Sequence, residues 1–103
     1  MNDSIKATSD SFSMVIEDQF VITNRGVCVT GILQGTIRLG MPVTIKLQRC
    51  EIRTAVYGIE HYHKLYDELT SPYNDYTCGI GVLLPLHDII VNKCLIGCTL
   101  SSL

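Results

Sequence analysis

The sequence predicts an all-β protein, specifically a small closed β-barrel of six to seven short strands. Three observations support this prediction. Apolar residues recur with a period of two along several short runs, glycine or asparagine stands at the corners between the runs, and no segment has the pattern of a long amphipathic helix. Because closing a sheet on itself removes its exposed edges, a barrel is the economical arrangement for so many short strands.

The first half of the chain contains the clearest strands and corners. Apolar residues alternate between Phe12 and Ile22, which predicts one half-buried strand broken near Asp18. The expected core face is Phe12, Met14, Ile16, Phe20 and Ile22. The turn sequence at 23–26 then predicts a hairpin with a second strand at 27–33. We expect Gly31 and Gly40 to occupy corners with positive φ.

The second half continues with shorter runs. Alternation predicts strands at 42–48 and from residue 51 to Gly58, where a bulge is expected. The segment 65–69 is compatible with one helical turn, and the composition of residues 70–76 predicts a loop. A buried strand that ends at Pro85 and a last strand at 94–100 complete the barrel.

Length and composition indicate one domain. We expect a flexible arm at residues 1–11, rich in Ser, Asp and Asn, followed by a single barrel over 12–103. No run reaches the roughly 18 apolar residues of a membrane span, and the first residues lack the features of a signal peptide, so we expect a cytoplasmic protein without membrane contact. The net charge of −2, with 8 Lys and Arg residues spread along the chain, gives RNA contact only weak support.

The five cysteines do not indicate a disulfide framework or a zinc ribbon. They stand at positions 28, 50, 78, 94 and 98, an odd number with no CxxC pair. If Cys94 and Cys98 lay on one strand, their α-carbons would be about 13 Å apart, too far for a disulfide. We expect buried thiols that behave as small apolar side chains.

Several blocks of the sequence, in order, resemble domain 2 of elongation factor Tu and related translational GTPases. The blocks are "IEDQFVITNRGVCVTGILQGTIRLGMPVTI", "YGIEHYHKLYDE", "GIGVLL" and "DIIVNKCLIG", and the resemblance covers roughly Phe12 to Gly97. The resemblance implies a Greek-key β-barrel, in agreement with the fold predicted from periodicity. In that family, domain 2 is a non-catalytic module that packs against the GTPase domain and helps to hold the acceptor end of aminoacyl-tRNA.

The resemblance also implies a binding face and excludes GTPase activity for this domain alone. The sequence has no phosphate loop and no complete guanine-specificity motif, so we expect no GTP binding, no cofactor and no catalysis. Glu60 matches the family's acidic residue beside the terminal adenine, and Lys64 matches a basic position. His63 replaces an Arg and Gly79 replaces an Asn, which removes a cationic fork and an amide.

The expected ligand-binding or partner-binding residues are therefore Glu60, Tyr62, His63, Lys64, Tyr73 and Tyr76. The two tyrosines at 73 and 76 come from a loop that is longer than the family's short connection. As an alternative, an extended strand would place His61 and His63 on one face, where they are weak candidates for a metal site.

These observations predict a non-catalytic β-barrel module that binds a translation component, a protein or a nucleotide end through the Glu60–Lys64 face. The alternative is a self-associating assembly protein. A protein partner or a homo-oligomer is expected in either case, because 47% of the residues are apolar and contiguous exposed apolar surface usually marks an interaction site.

Overall fold

The computed structural model describes residues 11–71, 79–85, 90 and 92–103. In these residues the chain forms eleven strands. They are β1 (Phe12–Val15), β2 (Asp18–Ile22), β3 (Gly26–Ile32), β4 (Gln34–Arg38), β5 (Pro42–Lys46), β6 (Glu51–Ala55), β7 (Gly58–His61), β8 (Lys64–Leu65), β9 (Glu68–Thr70), β10 (Gly79–Leu84) and β11 (Thr99–Ser102). In the described part of the chain, no helix is long and apolar enough to cross a membrane.

The strands form two sheets in which every pairing is antiparallel. The first sheet has the order β6-β5-β11-β1-β4-β9, and the second has the order β2-β3-β10-β7-β8. The all-β prediction is confirmed, although the predicted runs are divided into more and shorter strands than expected. That the two sheets close into a complete barrel stays a prediction.

The core lies between the sheets and follows from their registers. In the first sheet, Met14, Leu100, Ile45 and Ile52 stand side by side across four strands, and all four are buried. In the second sheet, the buried row is Val29, Val82 and Ile59. Since successive residues of a strand point to opposite faces, the residues between these positions form the outer faces.

The expected break near Asp18 is where the chain moves from one sheet to the other. Ile16 donates its amide to the Cys98 carbonyl beside the first sheet, and Glu17 donates its amide to the Thr30 carbonyl of the second sheet. The change of sheet reverses the alternation. Phe20 and Ile22 were expected in the core, but they lie on the outer face of the second sheet and are 50% and 37% exposed.

Three local predictions were wrong. Gly31 does not occupy a positive-φ corner but lies inside β3, whereas Gly40 does have φ 85°. The segment at 65–69 forms no helical turn, because its ends pair as strands β8 and β9. The last strand begins only at Thr99, and the residues before it form a turn in which Cys98 donates its amide to the Leu95 carbonyl.

The predicted arm cannot be compared with the structure, since residues 1–10 lie outside the described residues. At its last position, the Ser11 carbonyl accepts the amide of Thr36.

Candidate functional site

The predicted binding block folds as a tight hairpin at the edge of the second sheet. Tyr62 and His63 form the two-residue connection between β7 and β8, and His61 pairs with Lys64 at its base. Both connecting residues have positive φ, 53° and 67°, as a type I′ turn requires. This conformation costs a residue other than glycine about 1–2 kcal/mol. Asn and Gly are therefore the usual residues at these two turn positions. Tyr62 and His63 therefore hold a strained backbone conformation at the tip of the hairpin.

Glu60 occupies the outer face of the sheet beside this turn. It stands opposite Gly81 on β10 and Leu65 on β8, and about half of its side chain is exposed. Its Oε2 lies 3.8 Å from Nδ1 of His63, which is almost fully exposed. When protonated, the imidazole therefore forms an ion pair with the carboxylate.

Cys28 lies near Glu60 on the same outer face. The thiol is half-buried, and burial raises its pKa above the ordinary value, with a further increase from the negative charge of Glu60. The neutral thiol is accordingly the favoured form of Cys28.

His61 is held by the sheet. Its Nδ1–H donates to the Gly79 carbonyl at 2.8 Å, and its ring centroid lies 4.2 Å from that of Tyr62. His63 stands in the turn and faces Glu60, so the expectation that an extended strand places both histidines on one face is wrong. Among the residues described, no group of three or more His, Cys, Asp or Glu side chains is arranged to hold a metal.

Two pockets meet at Glu60. The first, which we call the acidic pocket, has a volume of about 340 Å³ and is lined by Glu17, Thr30, Gly31, Glu60, Tyr62, His63, Gly79, Ile80 and Gly81. The second, which we call the apolar pocket, has a volume of about 220 Å³ and is lined by Ile22, Arg25, Cys28, Gly58, Ile59, Glu60, Leu65, Gly81 and Leu83. Glu60 and Gly81 belong to both.

Glycines provide the floor of the apolar pocket. A Cβ on Gly81 would lie 3.1 Å from Sγ of Cys28 and 3.6 Å from Oε1 of Glu60. A Cβ on Gly58 would lie 3.2 Å from Cβ of Leu83. Side chains at these two positions would therefore fill the space between the pocket walls.

The structure brings together three of the predicted site residues. Glu60, Tyr62 and His63 line the acidic pocket, whereas Lys64 is exposed and lines neither pocket. Tyr73 and Tyr76 lie outside the described residues. Sequence reasoning missed the other pocket-lining side chains, which are Glu17, Thr30, Ile80, Ile22, Arg25, Cys28, Ile59, Leu65 and Leu83. The alternation within β3 and β10 was the available signal, but it shows which residues share a face and not which strands are neighbours.

Comparison with known structures identifies the architecture. No protein-family model matches the sequence. The chain is similar to the translation elongation factor SelB from Methanococcus maripaludis in its apo form, with a TM-score of 0.70 and 21% sequence identity. The fold is that of a translation-factor β-barrel domain. The similarity covers 92% of this chain and 19% of the SelB chain, so this chain spans about a fifth of the length of the protein it matches.

Proposed function

We propose that this translation-factor-like domain is a non-catalytic binding module that holds a nucleotide end, with one base in the apolar pocket. The observation that carries the proposal is the position of Glu60, a half-exposed carboxylate at the junction of an apolar pocket and a polar one. The fold similarity supports a role beside a translation component, because the matched protein is by name an elongation factor.

The apolar pocket has the chemistry expected for a flat ring. Ile22, Leu65 and Leu83 provide apolar walls, and the two glycines leave room for a ring to approach the backbone. A carboxylate at the rim accepts hydrogen bonds from the exocyclic amino group of adenine, cytosine or guanine, whereas uracil has no such group, so Glu60 favours an amino-bearing base over uracil. The resemblance to elongation factor Tu implies that this base is adenine.

The acidic pocket would then receive the group attached to that nucleotide. Glu17 and Glu60 supply negative charge, and Tyr62 and His63 supply rings beside it. Because the 8 Lys and Arg residues are spread along the sequence, we expect most of the binding energy to come from the pockets and little from phosphate contacts. The resulting affinity would depend only weakly on salt.

The proposal is tested by titrating the 15N-labelled protein with a short single-stranded RNA that ends in adenosine. We expect shifts in the amide resonances of Cys28, Leu65 and Gly81, and weaker binding when the terminal base is uracil. Glu60→Gln should weaken binding about tenfold through loss of a charge-assisted hydrogen bond. The matched control is Glu68→Gln, which removes a carboxylate that pairs with Arg38 elsewhere.

Resonances that do not move at millimolar RNA, in a protein that melts as a folded domain, would contradict nucleotide binding. Equal binding by the wild type and Glu60→Gln would show that the Glu60 carboxylate does not contact the bound nucleotide.

We propose self-association as a second candidate function, supported by one edge of the second sheet. The edge strand β2 presents three consecutive apolar side chains, Phe20, Val21 and Ile22, which are 50%, 56% and 37% exposed. It contains neither proline nor lysine, the residues that commonly protect a sheet edge from pairing. A twofold contact needs only one such self-complementary surface.

Light scattering behind size exclusion, over a hundredfold range of concentration, tests this second candidate. We expect a concentration-dependent dimer that Val21→Lys disrupts. A monomer at every concentration would contradict self-association and leave nucleotide binding unaffected.

A further inference from the structure

A third pocket, distant in sequence from the binding hairpin, is lined by three cysteines. Cys50 precedes β6, and Cys94 and Cys98 precede β11. With Leu47, Gln48, Arg49 and Lys93 they surround a volume of about 360 Å³, which we call the thiol pocket. Cys50 and Cys94 are exposed and Cys98 is half-buried, so the expectation of buried thiols that behave as apolar side chains was wrong at this end of the molecule.

The sheet register explains why these thiols share a pocket. Thr99, Lys46 and Glu51 stand side by side across β11, β5 and β6. Because β11 and β6 are both antiparallel to β5, Cys98 and Cys50 come one residue before this row at the same end of the sheet. Their α-carbons are thus about two strand spacings apart, roughly 10 Å. This separation exceeds the limit of about 7 Å for a disulfide between them.

Among the described residues that line the pocket, the two charged side chains, Arg49 and Lys93, are both cations. Each exposed thiol follows a cation in the chain, in the pairs Arg49–Cys50 and Lys93–Cys94, and all four residues line the pocket. No carboxylate is found among the described residues that line it. An anionic reagent of small size is therefore attracted to the two exposed thiols.

We propose that the thiol pocket is a site of thiol–disulfide exchange with a small anionic disulfide, which leaves a mixed disulfide on Cys50 or Cys94. The cysteine thiolate attacks one sulfur of the reagent and forms a new S–S bond, while the reagent's own S–S bond breaks. The departing half leaves as a thiolate and takes up the proton that the cysteine released. The reagent supplies all the oxidising equivalents, so the step needs no other oxidant.

Cys28 provides a comparison within the same molecule. It is half-buried and lies near the Glu60 carboxylate, where burial and negative charge both raise the pKa of the thiol. Arg25 and Glu60 line the same pocket as Cys28 with opposite charges, so an anionic disulfide gains less attraction there than beside two cations, and the thiolate that attacks it is scarce. The structure therefore predicts strong selectivity between two regions of one small protein.

The experiment exposes the fully reduced chain of 103 residues to oxidised glutathione, which is anionic, and in parallel to the uncharged hydroxyethyl disulfide. Peptide mass spectrometry measures the rate of adduct formation at each of the five cysteines separately. We expect oxidised glutathione to modify Cys50 and Cys94 at least about tenfold faster than Cys28. A disulfide between Cys50 and Cys94 that forms after the adduct also supports the proposal, since it requires the same first exchange.

The double variant Arg49→Gln, Lys93→Gln tests the part played by charge. It should lower the preference for oxidised glutathione over hydroxyethyl disulfide at Cys50 and Cys94 by about three- to tenfold. Arg38→Gln, which removes a cation on β4, is the control and should leave this preference unchanged. Equal rates at Cys28 and the pocket thiols, or an unaltered preference in the double variant, would overturn the proposal.

Discussion

Gly31→Ala should destabilise the protein strongly, for a reason that only the folded structure reveals. Gly31 lies within β3, where the chain crosses close to β1. An added Cβ would overlap the Val15 carbonyl oxygen and lie 2.7 Å from Cγ of Met14, a side chain that is 2% exposed. The methionine can adjust, but the backbone carbonyl moves only with its strand.

The expected magnitude follows from two opposing effects. Overpacking of a dense core costs about 1–3 kcal/mol, and a clash with backbone belongs at the upper end of that range. Replacing glycine by alanine also lowers the conformational entropy of the unfolded chain, which stabilises the folded state by about 0.4–1 kcal/mol. The net loss is about 2 kcal/mol, which lowers Tm by roughly 8–16 °C in a domain of this size.

Thermal and urea denaturation, monitored by circular dichroism, measure this loss. Gly79→Ala is the matched control, because Gly79 is also a strand glycine but its added Cβ would meet nothing closer than the Gly31 carbonyl oxygen at 3.9 Å. We expect the control to melt at or slightly above the wild-type temperature. If Gly31→Ala melts at the same temperature as the Gly79→Ala control, β1 and β3 do not approach each other as closely as described.

Three further predictions concern other parts of the chain. Gly40→Val should lower the free energy of unfolding by about 1 kcal/mol through its positive φ alone, because nothing lies within 4 Å of the added Cβ. A urea denaturation curve identical to that of the wild type would refute this strain. Hydrogen bonds from Arg53 and Thr44 lower the pKa of Glu51, so its stabilising contribution is present above the ordinary carboxyl pKa and is lost as pH falls through the lowered value. Glu51→Gln should make melting temperature depend less on acid pH, and an identical acid profile would count against the interaction. Guanine nucleotides should leave Tm unchanged, since a ligand at 100 times its Kd would add about 2.7 kcal/mol; a clear GTP-dependent rise would overturn the conclusion from the missing motifs.

The candidate site was predictable where its residues are consecutive. Glu60, Tyr62 and His63 lie in one block of sequence, and a short hairpin keeps such neighbours together whatever surrounds them. The apolar pocket was not predictable, because Ile22 and Leu83 come from strands separated by about sixty residues in the chain. Only the pairing order of the second sheet places them around one space.

The sequence by itself determined the all-β class, the turn at 23–26, the corner at Gly40 and much of the core, because a period of two and the conformational freedom of glycine act within a few residues. Tertiary structure decided what each surface contains. It exposed Phe20, which alternation alone assigned to the core, because the chain changes sheets at Ile16 and Glu17. It also placed Cys50 and Cys98 around one pocket, since the register of strands distant in sequence is set by packing across the whole domain.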